Sequence, residues 1–168
     1  MEGESEDGWD HSSLENWLEV IQPKALVLSG GNDIGEYPAR DKTEKYLLDW
    51  ANSHKIPLLG ICRGMQMMSH WAGGQLVPVK GHVRVRHQLV QKVEDVIFLP
   101  DSVNSYHNFS IETCPEPFEV MAEARDDGVI EAIRHKTLPW EGWMWHPERE
   151  KSFNGIDTLR VKRLFSGK

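Results

Sequence analysis

The apolar positions follow two alternating periods along the first half of the chain. Leu14, Trp17, Leu18 and Ile21 recur at helical spacing until Pro23 stops the run, and Ser12-Ser13-Leu14-Glu15 reads as a capping box. Ala25-Leu26-Val27-Leu28 follows as a short apolar run that ends in Ser29-Gly30-Gly31-Asn32-Asp33. Such a run suits a strand covered on both faces, as strands of parallel sheets are. The logic then repeats. Asp41 with Glu44 caps a helix whose Leu47, Leu48 and Ala51 face inward, and Ile56 to Ile61 forms a second buried strand. That strand runs directly into a helical pattern of Ile61, Met65, Met68 and Ala72, closed by Gly73-Gly74. Helix, strand, helix, strand, helix predicts an α/β layer structure.

The second half changes character. His82 to Val90, Val93 to Leu99 and Ser102 to Tyr106 are short and partly alternating. Phe118, Val120, Ala122 and Ala124 alternate, and Asp126-Asp127-Gly128 supplies a turn before Val129 to Ile133. A last strand is expected near Gly142 to Trp145 and a closing helix over Asp157 to Phe165. Ahead of all these, residues 1–11 read as an acidic solvated tail with Glu2, Glu4, Glu6, Asp7 and Asp10, which leaves 12–168 as a single domain.

Composition narrows the function classes. A chain of 168 residues is one domain's worth and long enough to bury a real core. Its 26 acidic against 19 basic side chains argue against nucleic acid as the main partner, because neutralising phosphates needs clustered Lys and Arg. No apolar stretch is long enough to span a membrane, and the acidic N-terminus is unlike a secretory signal. The two cysteines, Cys62 and Cys114, are too few for a disulfide framework, so the cytoplasm is the expected location. Eight histidines invite a metal, yet no H-E-x-x-H or Cys/His ligand spacing occurs, and none is expected. No cofactor is expected either: Gly30, Gly31 and Gly35 do not make a dinucleotide fingerprint.

The chemistry concentrates in three places. Gly60-Ile61-Cys62-Arg63-Gly64 has the G-x-nucleophile-x-G form where a strand turns into a helix, the setting of a nucleophile elbow. A helix N-terminus there should favour thiolate over thiol and lower the Cys62 pKa, although a free cysteine is more commonly a buried core residue. A thiolate nucleophile needs a base and the base an orienting group. Trp145-His146-Pro147-Glu148 supplies both, since in extended backbone residues i and i+2 share a side and Glu148 can reach the His146 ring. Taken alone, His146-Pro147-Glu148 also suits a solvated loop. Gly30-Gly31 ends the first strand and so lies at the same carboxyl edge as Cys62, where the amides of Gly31 and Arg63 can converge on an oxyanion. The plainer reading of the glycine pair is a strand-ending turn.

These stretches, together with Arg40-Asp41 and Glu44, Val103-Asn104-Ser105-Tyr106-His107 and Asp127-Gly128-Val129-Ile130-Glu131-Ala132, resemble the class I glutamine amidotransferase superfamily. The likeness runs in order over residues 26–150 and points to the γ-glutamyl hydrolase-like branch. Met144 to Glu150 and Asn104 to Phe109 are further similar to the γ-glutamyl-CDP-amidate hydrolase group, although Met144 stands where a Gln is common. The resemblance implies a flavodoxin-like three-layer α/β sandwich with a mostly parallel central sheet. It implies hydrolysis of a small-molecule γ-glutamyl amide through a Cys62–His146–Glu148 triad and a thioester. Gly31 and Arg63 would form the oxyanion hole, and Gly30, Gln66, Asn104, Ser105, Tyr106 and His107 would bind the glutamyl group.

Only one helix precedes the strand at Ala25 to Leu28, about 40–50 residues fewer than a full layer of this kind. The expectation is an N-terminally shortened fold whose exposed sheet edge invites a homodimer. Two alternative functions remain open: a glutaminase subunit that passes ammonia to a synthase partner, and a non-catalytic binding protein. His82, Arg84 and Arg86 alternate along one predicted strand face, which would suit a phosphate-bearing leaving group, though a solvated face is the more common meaning. Trp140, Trp143 and Trp145 read as core, and Cys114 as incidental.

Overall fold

The computed structural model describes residues 10–94 and 99–167. The elements run α1 (Ser12–Ile21), β1 (Leu26–Leu28), α2 (Pro38–His54), β2 (Leu58–Ile61), α3 (Arg63–Trp71), β3 (Leu76–Pro78) and β4 (Val83–Gln91). They continue with β5 (Ser102–Tyr106), β6 (Phe109–Ile111), β7 (Phe118–Ala124), β8 (Ile130–His135), β9 (Trp140–Trp143), a 3-10 turn over Pro147–Arg149 and α4 (Gly155–Ser166). Residues 1–9 of the expected tail, and 95–98 of the strand expected over Val93 to Leu99, lie outside the described residues.

Seven strands form one mixed sheet in the order β1-β2-β9-β8-β7-β4-β5, with β3 and β6 paired separately. β1, β2 and β9 are parallel, and the ladders from β9 through β8, β7 and β4 to β5 are antiparallel. The expected parallel order is thus concentrated in three strands, and the antiparallel ones extend it. Helices cover both faces. Gly142 in β9 has no side chain because a Cβ there would meet the Met65 side chain of α3 at 2.8 Å. Its neighbour Glu141, which points the other way, accepts a 2.7 Å hydrogen bond from Arg160 of α4. Leu48, Ala51, Leu58, Met65, Met68, Ile133 and the three expected core tryptophans Trp140, Trp143 and Trp145 fill the interior.

Four local expectations are corrected. Ser12 is already inside α1, and its N–H bonds to Asp10 Oδ1 at 2.8 Å, so the capping carboxylate lies upstream of the expected box. Of the four apolar positions expected on one face of α1, Leu18 is buried while Trp17 and Ile21 stay about half exposed. Asp41 and Glu44 do not cap α2. The helix opens earlier, with Pro38 in the first turn where its missing N–H costs nothing, and both acids lie inside it. β1 is not covered on both faces: it is an edge strand among the described residues, and Val27 is 54% exposed while Leu28 is buried.

Candidate active site

The carboxyl ends of the parallel strands β1, β2 and β9 lead into Gly30-Gly31, Cys62 and His146-Pro147-Glu148. Cys62 sits between β2 and α3 at φ 49°, ψ −103°, a conformation that L-residues adopt only when their surroundings impose it. The surroundings here are two glycines. A Cβ at Gly60 would lie 2.7 Å from the Gly64 main chain, and one at Gly64 would collide with the Leu28 carbonyl of β1. The Cys62 N–H donates to Trp143 O at 2.7 Å, which ties the elbow to β9, the strand that delivers His146.

His146 is buried, and its Nδ1 lies 2.6 Å from Glu148 Oε1. The pairing expected from extended backbone is made, but across the 3-10 turn that Pro147 begins. With Nδ1 held by a carboxylate, Nε2 is the nitrogen left for proton transfer. Gly30 lies against this ring, since a Cβ there would stand 2.6 Å from His146 Cε1. Burial lowers the His146 pKa from its ordinary value, and the Glu148 carboxylate partly offsets it. Burial pushes the Cys62 thiol up to about 11, opposed by the Arg63 amide and by the charge of Arg149. The lowering expected at a helix N-terminus is present but is outweighed by desolvation, so the resting cysteine is a thiol.

A buried ion network fixes the Gly30-Gly31 loop against the elbow. The Arg63 guanidinium, 2% exposed, pairs with Asp41 and with Glu44 of α2. Glu44 also holds Arg40 at 2.8 Å, and Arg40 donates to Ser29 O at 3.0 Å and Gly30 O at 3.2 Å. A Cβ at Gly31 would collide with that same Arg40 guanidinium. Asp41 Oδ2 accepts from Gly35 N at 2.8 Å. One face of α2 therefore links the loop that carries Gly31 to the Arg63 side chain. The sequence signal is three charged residues at i, i+1 and i+4 on one helix, a pattern that equally suits a cap.

The residues expected to bind the glutamyl group are engaged inside the protein. Asn104 clamps the His146 main chain from both sides: its Oδ1 accepts from His146 N at 2.8 Å and its Nδ2 donates to His146 O at 2.7 Å. Gln66 donates to Phe109 O at 2.9 Å, Ser105 to His82 O at 2.7 Å, and His107 Nδ1 lies 3.0 Å from Phe109 O. Tyr106 is half-buried, its ring edge-on to His146 at 5.8 Å and under the Arg149 guanidinium at 4.4 Å.

Beside Tyr106 opens a cleft of about 310 Å³ lined by Arg84, Arg86, Asn104, Tyr106, Arg149 and Lys151, with Glu150 paired to Arg86 at 2.7 Å. The expected His82-Arg84-Arg86 face is corrected. A bulge between Val83 and Val85, with Arg84 at φ 58°, breaks the alternation, and His82 turns inward while both arginines stay outside.

The Glutamine amidotransferase class-I family profile matches residues 7–163. A γ-glutamyl-CDP-amidate hydrolase of Campylobacter jejuni is 39% identical over 143 residues, 82% of this chain and 68% of that protein. A glutamine-hydrolysing GMP synthase component of Methanocaldococcus jannaschii is 30% identical over 141 residues, 82% of this chain and 71% of that one. Among solved structures, a Thermoplasma acidophilum protein described as a component of GMP synthase superposes with a TM-score of 0.73 at 26% identity, over 88% of this chain and 74% of that chain. Among the described residues no helix is long and apolar enough to cross a membrane.

Proposed function

Since the chain belongs to the class-I glutamine amidotransferase family, we propose that it hydrolyses a γ-glutamyl amide bond through Cys62, His146 and Glu148. The observation that carries this reading is a strained cysteine elbow hydrogen-bonded to the same strand that ends in a carboxylate-held histidine. In the reaction, His146 Nε2 takes the Cys62 proton as sulfur attacks the γ-carbonyl carbon. The amides of Gly31 and Arg63 receive the oxyanion, each donor worth about 3–4 kcal/mol in such sites. The C–N bond breaks as His146 returns the proton to the departing nitrogen. Water, deprotonated by the same imidazole, then opens the thioester to glutamate and free thiol. The raised thiol and lowered imidazole pKa values fit a base that works only when substrate closes the site, rather than a standing ion pair. Asn104 and Glu148 position His146. Gly30, Gln66, Ser105, Tyr106 and His107 shape the wall on which the glutamyl group rests.

The basic cleft beside Tyr106 favours an anionic, phosphate-bearing leaving group of the kind named for the Campylobacter jejuni relative. The second reading, glutamine hydrolysis for a synthase partner, is favoured by the likeness to the GMP synthase component. Glutamate release from glutamine, γ-glutamyl peptides and a γ-glutamyl nucleotide amidate separates them, with Cys62→Ser as control. Turnover of the amidate alone, lost at least ~10⁴-fold in the variant, is the expected result. Turnover of glutamine alone, rising when a synthase is added, establishes the second reading. No turnover by folded protein of any substrate overturns both and favours a binding protein.

A further inference from the structure

Apart from the catalytic triad, five buried polar atoms lie together with no hydrogen-bond partner: His82 Nδ1, His87 Nε2, His107 Nε2 and both carboxylate oxygens of Glu131. None of these four residues is more than 8% exposed. The donor pattern around them is specific. His82 Nε2 lies 2.8 Å from Asp127 Oδ2, and His107 Nδ1 lies 3.0 Å from Phe109 O, so each ring spends its N–H on an outer acceptor. In the neutral rings each inner nitrogen then turns a lone pair toward Glu131 Oε1, at 3.5 Å from His82 Nδ1 and 3.4 Å from His107 Nε2. Glu131 and Asp127 raise the His82 pKa, and a proton on Nδ1 competes with an ion for that place. Lone pairs aimed at a carboxylate in a dry interior repel it, and these distances are too long for good hydrogen bonds. The 3.5 Å between His82 Nδ1 and Glu131 Oε1 does match the roughly 3.3 Å that separates two ligands of a tetrahedral ion with bonds near 2.0 Å. An imidazole that donates its other N–H to a carboxylate or a carbonyl is also the usual outer arrangement of a metal-bound histidine.

We propose that His82, His87 and Glu131 bind a divalent transition-metal ion of the zinc type. Their ligand atoms all lie within 4.8 Å of one another, and His107 Nε2 lies 3.4 Å from Glu131 Oε1. Nitrogen-rich, partly anionic donor sets of this kind select zinc and its neighbours over magnesium or calcium. The bulge at Arg84 is what makes the site: His82 and His87 are five residues apart, an odd spacing that a regular strand would place on opposite faces. The ion ties β4 to β8, and β8 in turn holds β9 through the Met144 N–H bond to Glu131 O at 2.8 Å. It is structural, since none of its three ligands belongs to the Cys62–His146–Glu148 triad, and it is independent of which amide the protein hydrolyses.

The test is metal content and X-ray absorption of the full chain, followed by zinc titration after chelator dialysis. Expected are one zinc per chain, a shell of nitrogen and oxygen with imidazole scattering and no sulfur, and a melting temperature that rises with added zinc. Glu131→Gln and His87→Ala should each weaken binding at least ~10-fold, and Cys62→Ser should leave it unchanged. A sulfur shell, or zinc lost in Cys62→Ser, would place the ion on the nucleophile and overturn the proposal. So would wild-type protein that takes up neither zinc, cobalt nor manganese, the cluster then being held by protons on His82 and His107. The wild-type spectra and the Cys62→Ser variant decide the matter even if a cluster variant does not fold.

Discussion

The two ends of the sheet place their polar groups by opposite means. In the parallel part the main chain does the placing. Cys62 is lifted by two glycines that cannot carry a Cβ, its N–H is bonded to β9, and His146 follows three residues after that strand's end. In the antiparallel part side chains do it. His82, His87, His107, Asp127 and Glu131 come from four separate segments and meet only because a bulge turns one of them inward. A site built by the main chain is assembled from short contiguous segments and is intolerant of any added carbon. One built by side chains is scattered, and its polar atoms carry the cost when a partner is missing.

The largest expected effect concerns the local pair. Glu148→Gln keeps the shape of the side chain but no longer holds the His146 tautomer with a charge, and about 10³-fold should be lost from kcat with KM little changed. A loss under tenfold would mean that the 2.8 and 2.7 Å Asn104 clamp orients the ring by itself.

Next comes the main-chain contrast itself, read from urea unfolding. Gly64→Ala would drive a Cβ into Leu28 O and should cost about 3 kcal/mol, roughly 150-fold in the folding constant. Gly128→Ala in the β7–β8 turn, with φ +75° and open space around it, should cost only the backbone strain of about 1 kcal/mol. Equal costs at the two positions would break the comparison.

These differences explain what could be read from the chain. The elbow, the glycine pair and His146-Pro147-Glu148 were legible because their geometry is local: strand, turn and next-but-one neighbour. Asn104, Ser105 and His107 were legible as a motif but not as contacts. Periodicity says that a strand side chain points inward, and only the packed structure says that Asn104 meets the main chain of His146. Asp41 and Glu44 looked like caps because acids near a helix start usually are, and their true partner, Arg63, is about twenty residues away. The β4 bulge is invisible to pattern, since Arg84 carries no glycine-like signature for its φ of 58°. The thiol pKa failed for a different reason: the helix N-terminus is local and burial is not.

Asn104 joins the two parts, because it stands on β5 and holds the residue after β9. Asn104→Ala should lower kcat by roughly 10–30-fold while the Glu148 pair survives, and should leave His146 amide exchange faster, since a buried N–H loses its acceptor. Unchanged exchange would show that the antiparallel strands do not position the base.

The smallest effect is the position of the acid limb of kcat/KM, and its sign is fixed by the geometry. Burial outweighs Glu148 at His146, so the folded-state pKa lies below the ordinary 6.5 and the limb should fall below that pH. Protonation of His146 removes the base, so activity is lost as pH falls through the lowered value and is fully present above it. Glu148 is the influence that raises the pKa, and Glu148→Gln should therefore move the limb further toward acid while lowering its height. Proton NMR of the His146 ring follows the same titration without substrate. A limb that moves upward in the variant would mean that the carboxylate destabilises the imidazolium, which a 2.6 Å contact between Glu148 Oε1 and Nδ1 does not allow.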